Sequence, residues 1–255
     1  MTFAILQQSL DPTPTAEQLA RAFAGVRTLT KQDAVVQAKD AYGILAAGLS
    51  SWDAAAIQKA LHADGVETLV ADEATLPVLP PPKTLTRADP LPESLVLYDA
   101  LGRPQPVPWG DVLLIAAGSV ILTKFRREVT ERIVSGGVGG LYGMVPAMPV
   151  VIMEERNVEE KKLNLLAEVH LRGGPRYRVQ ARGFVYAYLG DKVSPRSSDN
   201  FLTLVRDLLR LAPATTRNRG AALLAADPPR TLAYPSRHAF EEELVWCLWM
   251  KGQGA

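Results

Sequence analysis

Residues 3–72 switch repeatedly between short apolar runs and helical spacing, and the switches set out an order of elements. Phe3 to Ser9 reads as a short strand closed by the turn-forming DPTPT. Thr15 offers an N-cap, and Leu19, Ala22, Phe23 and Val26 then recur at helical intervals. A second helix fits TKQDAVVQAKDA, with Thr30 as its cap and Ala34, Val35 and Ala38 as its apolar side. GILAAGL is short, apolar and bounded by glycine, as a buried strand would be. Ser51 begins a third helix through Ile57, Ala60 and Leu61, and Gly65 is placed to end it. Val66 to Ala71 follows as a strand, so the predicted order is β-α-α-β-α-β.

The run LTKQDAVVQAKDA, followed by GLSSWDAAAIQKALHADGVETLV, resembles the C-terminal domain of the bacterial ribosomal stalk protein. In that family a "GL-x-EAK" helix precedes a strand, a helix ending in "AL-x-x-G" and a further strand. The resemblance covers residues 3–72 and implies a small sheet with helices on one face. The family holds translation factors on basic helices. Here Arg21, Arg27, Lys31 and Lys39 are interspersed with Glu17, Asp33 and Asp40, so factor binding does not carry over. The adaptor protein that feeds a bacterial protease has a related fold, and by analogy such a module binds rather than catalyses.

Residues 76–92 hold Pro77, Pro80, Pro81, Pro82, Pro90 and Pro92, a density that opposes helix and sheet ladders. They mark a linker between a module at 1–75 and a second domain at 93–255. In SLVLYDALGRPQPVPWGDVLLIAAGSVILTKF, the pattern gives strand, turn, strand, short turn, strand. Gly102 with Pro104 and Gly118 with Ser119 punctuate the turns. Ile133 to Met153 carries no charge and has the length of a bilayer span, but its glycines and prolines favour a mobile apolar loop. The charged EERNVEEKK reads as a solvated run. From Leu163 to Arg172 apolar and polar residues then alternate, predicting a strand with one buried and one wet face.

A hairpin partner follows in PRYRVQARGFVYAYLG, with a bulge expected where the parity switches at Gly183. Helices are expected from Ser198 or Asp199 to Pro213, through NRGAALLAA, and from Arg237 onward. The last places Phe240, Leu244, Cys247 and Leu248 on one side and Glu241 to Glu243 at an exposed start. Antiparallel strands capped by a helix, with VPWGDV opening a strand, resemble the pleckstrin-homology-like barrels of bacterial proteins over residues 94–212. The fold class is α+β: a small module, then an antiparallel sheet or barrel-like domain closed by C-terminal helices.

Composition changes the picture little. The 255 residues are 47% hydrophobic and 22% charged with a net charge of +1, so no global field draws the chain to nucleic acid or to an anionic membrane. Cys247 is the sole cysteine, which excludes an internal disulfide and a cysteine-based zinc cluster. MTFAILQQSLDPTP lacks the marks of a secretory signal, and a cytoplasmic protein is expected. His62, His170 and His238 lie far apart and in no metal-ligand spacing. Cys247 reads as a core residue. SGGVGGLYG lacks the lysine and hydroxyl of a phosphate loop. Glu154, Glu155, Glu159 and Glu160 sit among Arg156, Lys161 and Lys162 as surface charge.

No catalytic, metal-ligating or cofactor-binding residue is assigned, and no cofactor is expected. Arg176, Arg178 and Arg182, with Gln180 between them and Arg172 nearby, suggest an arginine face on a wet sheet surface. The sequence points to a non-catalytic binding or adaptor protein with a protein partner or self-association. Its surface would be the loop at 133–153, with Leu141, Tyr142, Met144 and Met148, or the arginine face, or both. Two alternatives stand beside it: an enzyme with the glycine-rich loop as a lid, and a binder of anions or nucleic acid through the arginine strand.

Overall fold

Each helix predicted in the first seventy-five residues starts at a side-chain cap. The computed structural model describes residues 1–134 and 150–253. Helix α1 (Ala16–Phe23) begins at Thr15, whose hydroxyl accepts from the Gln18 N–H while Gln18 Oε1 accepts from the Thr15 N–H. Thr30 and Asp33 repeat this reciprocal cap for α2 (Lys31–Lys39), and Ser50 caps α3 (Ser51–Ala63). Gly65 follows α3 at φ +76°, a conformation that suits a residue without Cβ.

Strands β1 (Phe3–Gln7), β2 (Ile44–Leu49) and β3 (Thr68–Asp72) form a sheet in the order β2-β1-β3, with β1 antiparallel to both neighbours. The element order is the predicted one. Alternation along β1 divides its side chains. Ile5 packs with Leu19, Phe23, Leu45, Ile57 and Leu61 beneath the three helices. Ala4 and Leu6 join Trp246, Trp249 and Met250 of the final helix, α6 (Arg237–Gln253). Val35, expected on the apolar side of α2, is exposed while Ala34 is buried. This short helix packs chiefly on α1, which covers only a narrow stripe.

The proline-rich stretch is not free of sheet structure. β4 (Lys83–Thr84) pairs in parallel with Tyr177–Arg178, and β5 (Ala88–Pro90) pairs with β6 (Ser94–Tyr98). A proline deletes one donor rather than a whole ladder, so two or three residues between clusters still pair. β7 (Pro104–Pro108) then lines the edge of the β5-β6-β7 sheet. Its prolines at 104, 106 and 108 remove every second N–H, which closes that edge to further pairing.

The predicted break at Gly118 and Ser119 does not occur. β8 (Val112–Val134) runs straight through them. The glycine serves packing instead, since a Cβ there would lie 2.5 Å from the Tyr234 ring. β9 (Val150–Leu171) is its neighbour, and β10 (Arg176–Gln180) pairs antiparallel with the end of β9. The remaining elements are α4 (Ser197–Leu211), β11 (Thr216–Arg217), α5 (Arg219–Ala225) and β12 (Ala233–Tyr234). The larger sheet runs β11-β8-β9-β10-β4, with β12 also on β8.

Two further expectations are corrected. The strand after RGGP ends at Gln180 instead of bulging at Gly183; Gly183, at φ +87°, turns the chain, and Ala187–Lys192 forms a 3-10 helix. Phe184 and Tyr186 still reach the core, with rings 4.9 Å apart. The apolar loop expected at 133–153 is narrower, because Ile133 and Val134 belong to β8 and Val150 to Met153 to β9. Its remainder, 135–149, lies outside the described residues. EERNVEEKK, read as a solvated run, lies in β9.

Packing separates the chain into two units, Met1–Ile121 with Leu163–Ala255, and Leu122–Lys162. The first holds the β2-β1-β3 sheet and the cores around Ile5 and around Phe201, Leu204 and Val179. Among the described residues no helix is long and apolar enough to cross a membrane.

Two close approaches set a stability prediction. A Cβ on Gly220 would stand 2.0 Å from the Ala117 carbonyl oxygen, and one on Gly43, at φ +107°, 2.4 Å from the Trp246 ring. Gly220→Ala and Gly43→Ala should each lose about 2 kcal/mol or more in urea unfolding. Gly110→Ala, with open space around it, should unfold near the wild-type midpoint.

Candidate functional site

The register of the β9–β10 pair places Glu168 opposite Arg178 and His170 opposite Arg176. All four side chains are buried. Ala167, Val169 and Val179 face the main core, so this charged face is the one expected to be wet. It is dry because α6 brings Glu241 to it. Arg178 reaches Glu168 Oε1 at 2.6 Å and Glu241 Oε1 at 3.1 Å. Arg176 Nη2 donates to Glu241 Oε1 at 2.8 Å, and its Nη1 lies 3.5 Å from Glu168 Oε2. His170 Nε2 is 3.1 Å from the same oxygen. Burial raises the Glu168 carboxyl pKa, but the His170 hydrogen bond and the charges of Arg178 and Arg176 outweigh it and hold the group below its ordinary value.

The arginine face therefore does not assemble. Arg176 and Arg178 are inside and matched to two carboxylates, whereas Arg182 and Arg172 are exposed. A guanidinium neutralised in this way offers little to an incoming anion.

A second network lies two residues along α6, at Glu243. The predicted exposed run Glu241–Glu243 is wrong at Glu243, which is fully buried. Its Oε1 accepts from the Arg219 backbone N–H at 2.7 Å and its Oε2 from the Tyr234 hydroxyl at 2.8 Å. Asn218 Nδ2 donates to the same hydroxyl at 2.8 Å and to the Ala117 carbonyl at 3.1 Å. Asn218 Oδ1 accepts from the N–H groups of Ala117 and Ala221, both at 2.9 Å. One amide thus pairs a residue of β8 and caps α5. The Arg219 guanidinium lies 4.9 Å from the centre of the Tyr42 ring.

Sequence reasoning missed this network, yet it left a signal. Phe240, Glu243, Leu244 and Cys247 sit at i, i+3, i+4 and i+7, so the carboxylate occupies the apolar stripe.

An open cavity of about 300 Å³ beside this network is lined by Ser9, Asp11, Arg217, Arg219, Trp246 and Cys247. Burial, followed by the Glu243 charge, pushes the Cys247 thiol far up, so the sulfur stays protonated and is a poor nucleophile. Burial and Glu243 also hold the Tyr234 phenol protonated. A second open cavity, of about 500 Å³, has Ile44, Glu73, Leu76, His238, Glu242 and Val245 on its walls. His62 accepts from the Thr68 N–H at 3.1 Å, and His238 is exposed beside Glu242. Among the described residues no three His, Cys, Asp or Glu side chains gather to hold a metal ion. Leu141, Tyr142, Met144 and Met148 lie outside the described residues.

Asn218→Ala strips partners from Ala117 and Ala221 at once and should cost about 3 kcal/mol in urea unfolding. The Glu168 pKa is lower folded than unfolded, so its contribution is complete above about pH 4.5 and is lost as pH falls through the folded value. Stability should accordingly decline on acidification below that point. Glu168→Gln should be less stable at pH 7, by about 3 kcal/mol, and should show a shallower acid decline in melts from pH 7 to 3.

No protein-family model, curated protein or solved structure matches the chain.

Proposed function

We propose that the chain is a non-catalytic binding or adaptor protein whose 122–162 segment engages a protein surface. The observation that supports this reading is the reach of the two long strands. β8 and β9 continue for 23 and 22 residues. Among the described residues no strand besides these two is registered with β8 beyond Val120 or with β9 before Leu166. A two-stranded ribbon is marginal in water by itself. Val129, on this stretch of β8, is exposed. Partner binding would supply a covering layer or a further strand. The groups best suited to chemistry elsewhere are already committed: Glu243, Tyr234 and Asn218 to one another, and Glu168 to Arg178, Arg176 and His170.

The reading is tested by a chain in which residues 123–161 are replaced by an Asn-Gly turn. The shortened chain should keep the cooperative unfolding of the first unit and should lose self-association and protein capture. Unchanged oligomeric state together with unchanged capture would rule out the segment as the binding element.

A further inference from the structure

We infer that the open cavity beside Glu243 is a binding site for a free α-amino acid with an apolar side chain. The site lies wholly in the first unit and does not depend on the binding role proposed above.

At about 300 Å³ the cavity is at the small end of ligand sites and suits a molecule of one residue's size. Its apolar wall includes Leu10, Ala222 and Trp246, and its charges are two anions, Asp11 and Glu243, and two cations, Arg217 and Arg219. Glu243 is fully buried and spends its oxygens on the Arg219 N–H and the Tyr234 hydroxyl, at 2.7 and 2.8 Å. The Arg219 guanidinium is held loosely. Its Nη1 and Nη2 lie 3.5 and 3.4 Å from the Leu10 and Ala41 carbonyls, and its Nε lies 3.5 Å from Glu243 Oε1. Contacts of that length are at the limit of hydrogen bonding, so the group keeps donor capacity. The side chain is 27% exposed, within reach of a ligand.

The other two charges are exposed. Among the described residues neither the Asp11 carboxylate nor the Arg217 guanidinium has a hydrogen bond or ion pair, and they do not pair with one another although both line one cavity. Opposite charges held apart beside an apolar wall select a zwitterion. A lone anion would face Asp11 without a match, and a lone cation would face the arginines. An α-amino acid supplies each part: its carboxylate meets Arg217 and Arg219, its ammonium meets Asp11, and its side chain lies along Leu10, Ala222 and the Trp246 ring. A peptide terminus carries just one of the two charges and leaves the other side unmatched.

Isothermal titration calorimetry of the full chain with L-leucine tests the assignment. Binding should be saturable, with a Kd of about 1 mM for so small a ligand. Leucinamide, which lacks the carboxylate, and N-acetylleucine, which lacks the ammonium, should each bind about tenfold more weakly. Arg217→Gln should weaken leucine about tenfold and move leucinamide by less than about threefold; Asp11→Asn should do the same for leucine while sparing N-acetylleucine. A merely structural role would weaken all three ligands alike. The inference is overturned by the absence of saturable leucine binding, by leucinamide or N-acetylleucine binding as well as leucine, or by a leucine affinity that either substitution leaves unmoved.

Discussion

Helix α6 carries Glu241 and Glu243 into the protein, and both carboxylates must find matched donors before the helix can be covered on two sides. Glu243 meets the Arg219 N–H and the Tyr234 hydroxyl; Glu241 meets Arg176 and Arg178. Further along the helix, Trp246 and Trp249 pack on the β1 sheet, where the Trp246 indole donates to the Gln7 carbonyl at 2.6 Å. α6 is thus a shared wall. It closes the open face of the first sheet and the charged face of β9 and β10. Removal of either carboxylate leaves cations or hydroxyls stranded on the far side.

Close approach is the second requirement. Gly43 admits Trp246, Gly118 admits the Tyr234 ring, and Gly220 lets α5 touch the Ala117 carbonyl. With Asn218 pairing the same Ala117, the backbone of β8 at residues 117 and 118 is held by α5 with its cap and by the Tyr234 ring of β12. Within this unit the strand is rigidly placed. Its continuation from Leu122 belongs to the other unit, and the proposed role is assigned there.

Much of the local structure was legible because it depends on neighbours in sequence. Thr15 and Thr30 cap their helices as the pattern predicts, the third helix begins at Ser51, and the first three strands follow. What the sequence concealed depends on distant residues. Gly118 reads as a turn until Tyr234 is known to lie against it. Arg176 and Arg178 read as a wet face because nothing local says that α6 covers them with a carboxylate. Glu243 was visible within an apolar stripe, but its donors come from two other segments. The charged side of a strand and the buried side of an ion-pair network have the same local pattern; only the covering element distinguishes them.

The central structural claim is that α6 makes the β1 sheet and the β8 sheet one cooperative body. Native-state hydrogen exchange measured against denaturant tests it most directly, with the amides of Ile5 and Leu6 followed beside those of Ile115 and Ala116. The account predicts one opening free energy for both groups, equal to that of global unfolding. Exchange of Ile5 and Leu6 through a separate opening, several kcal/mol below the global value, would contradict it.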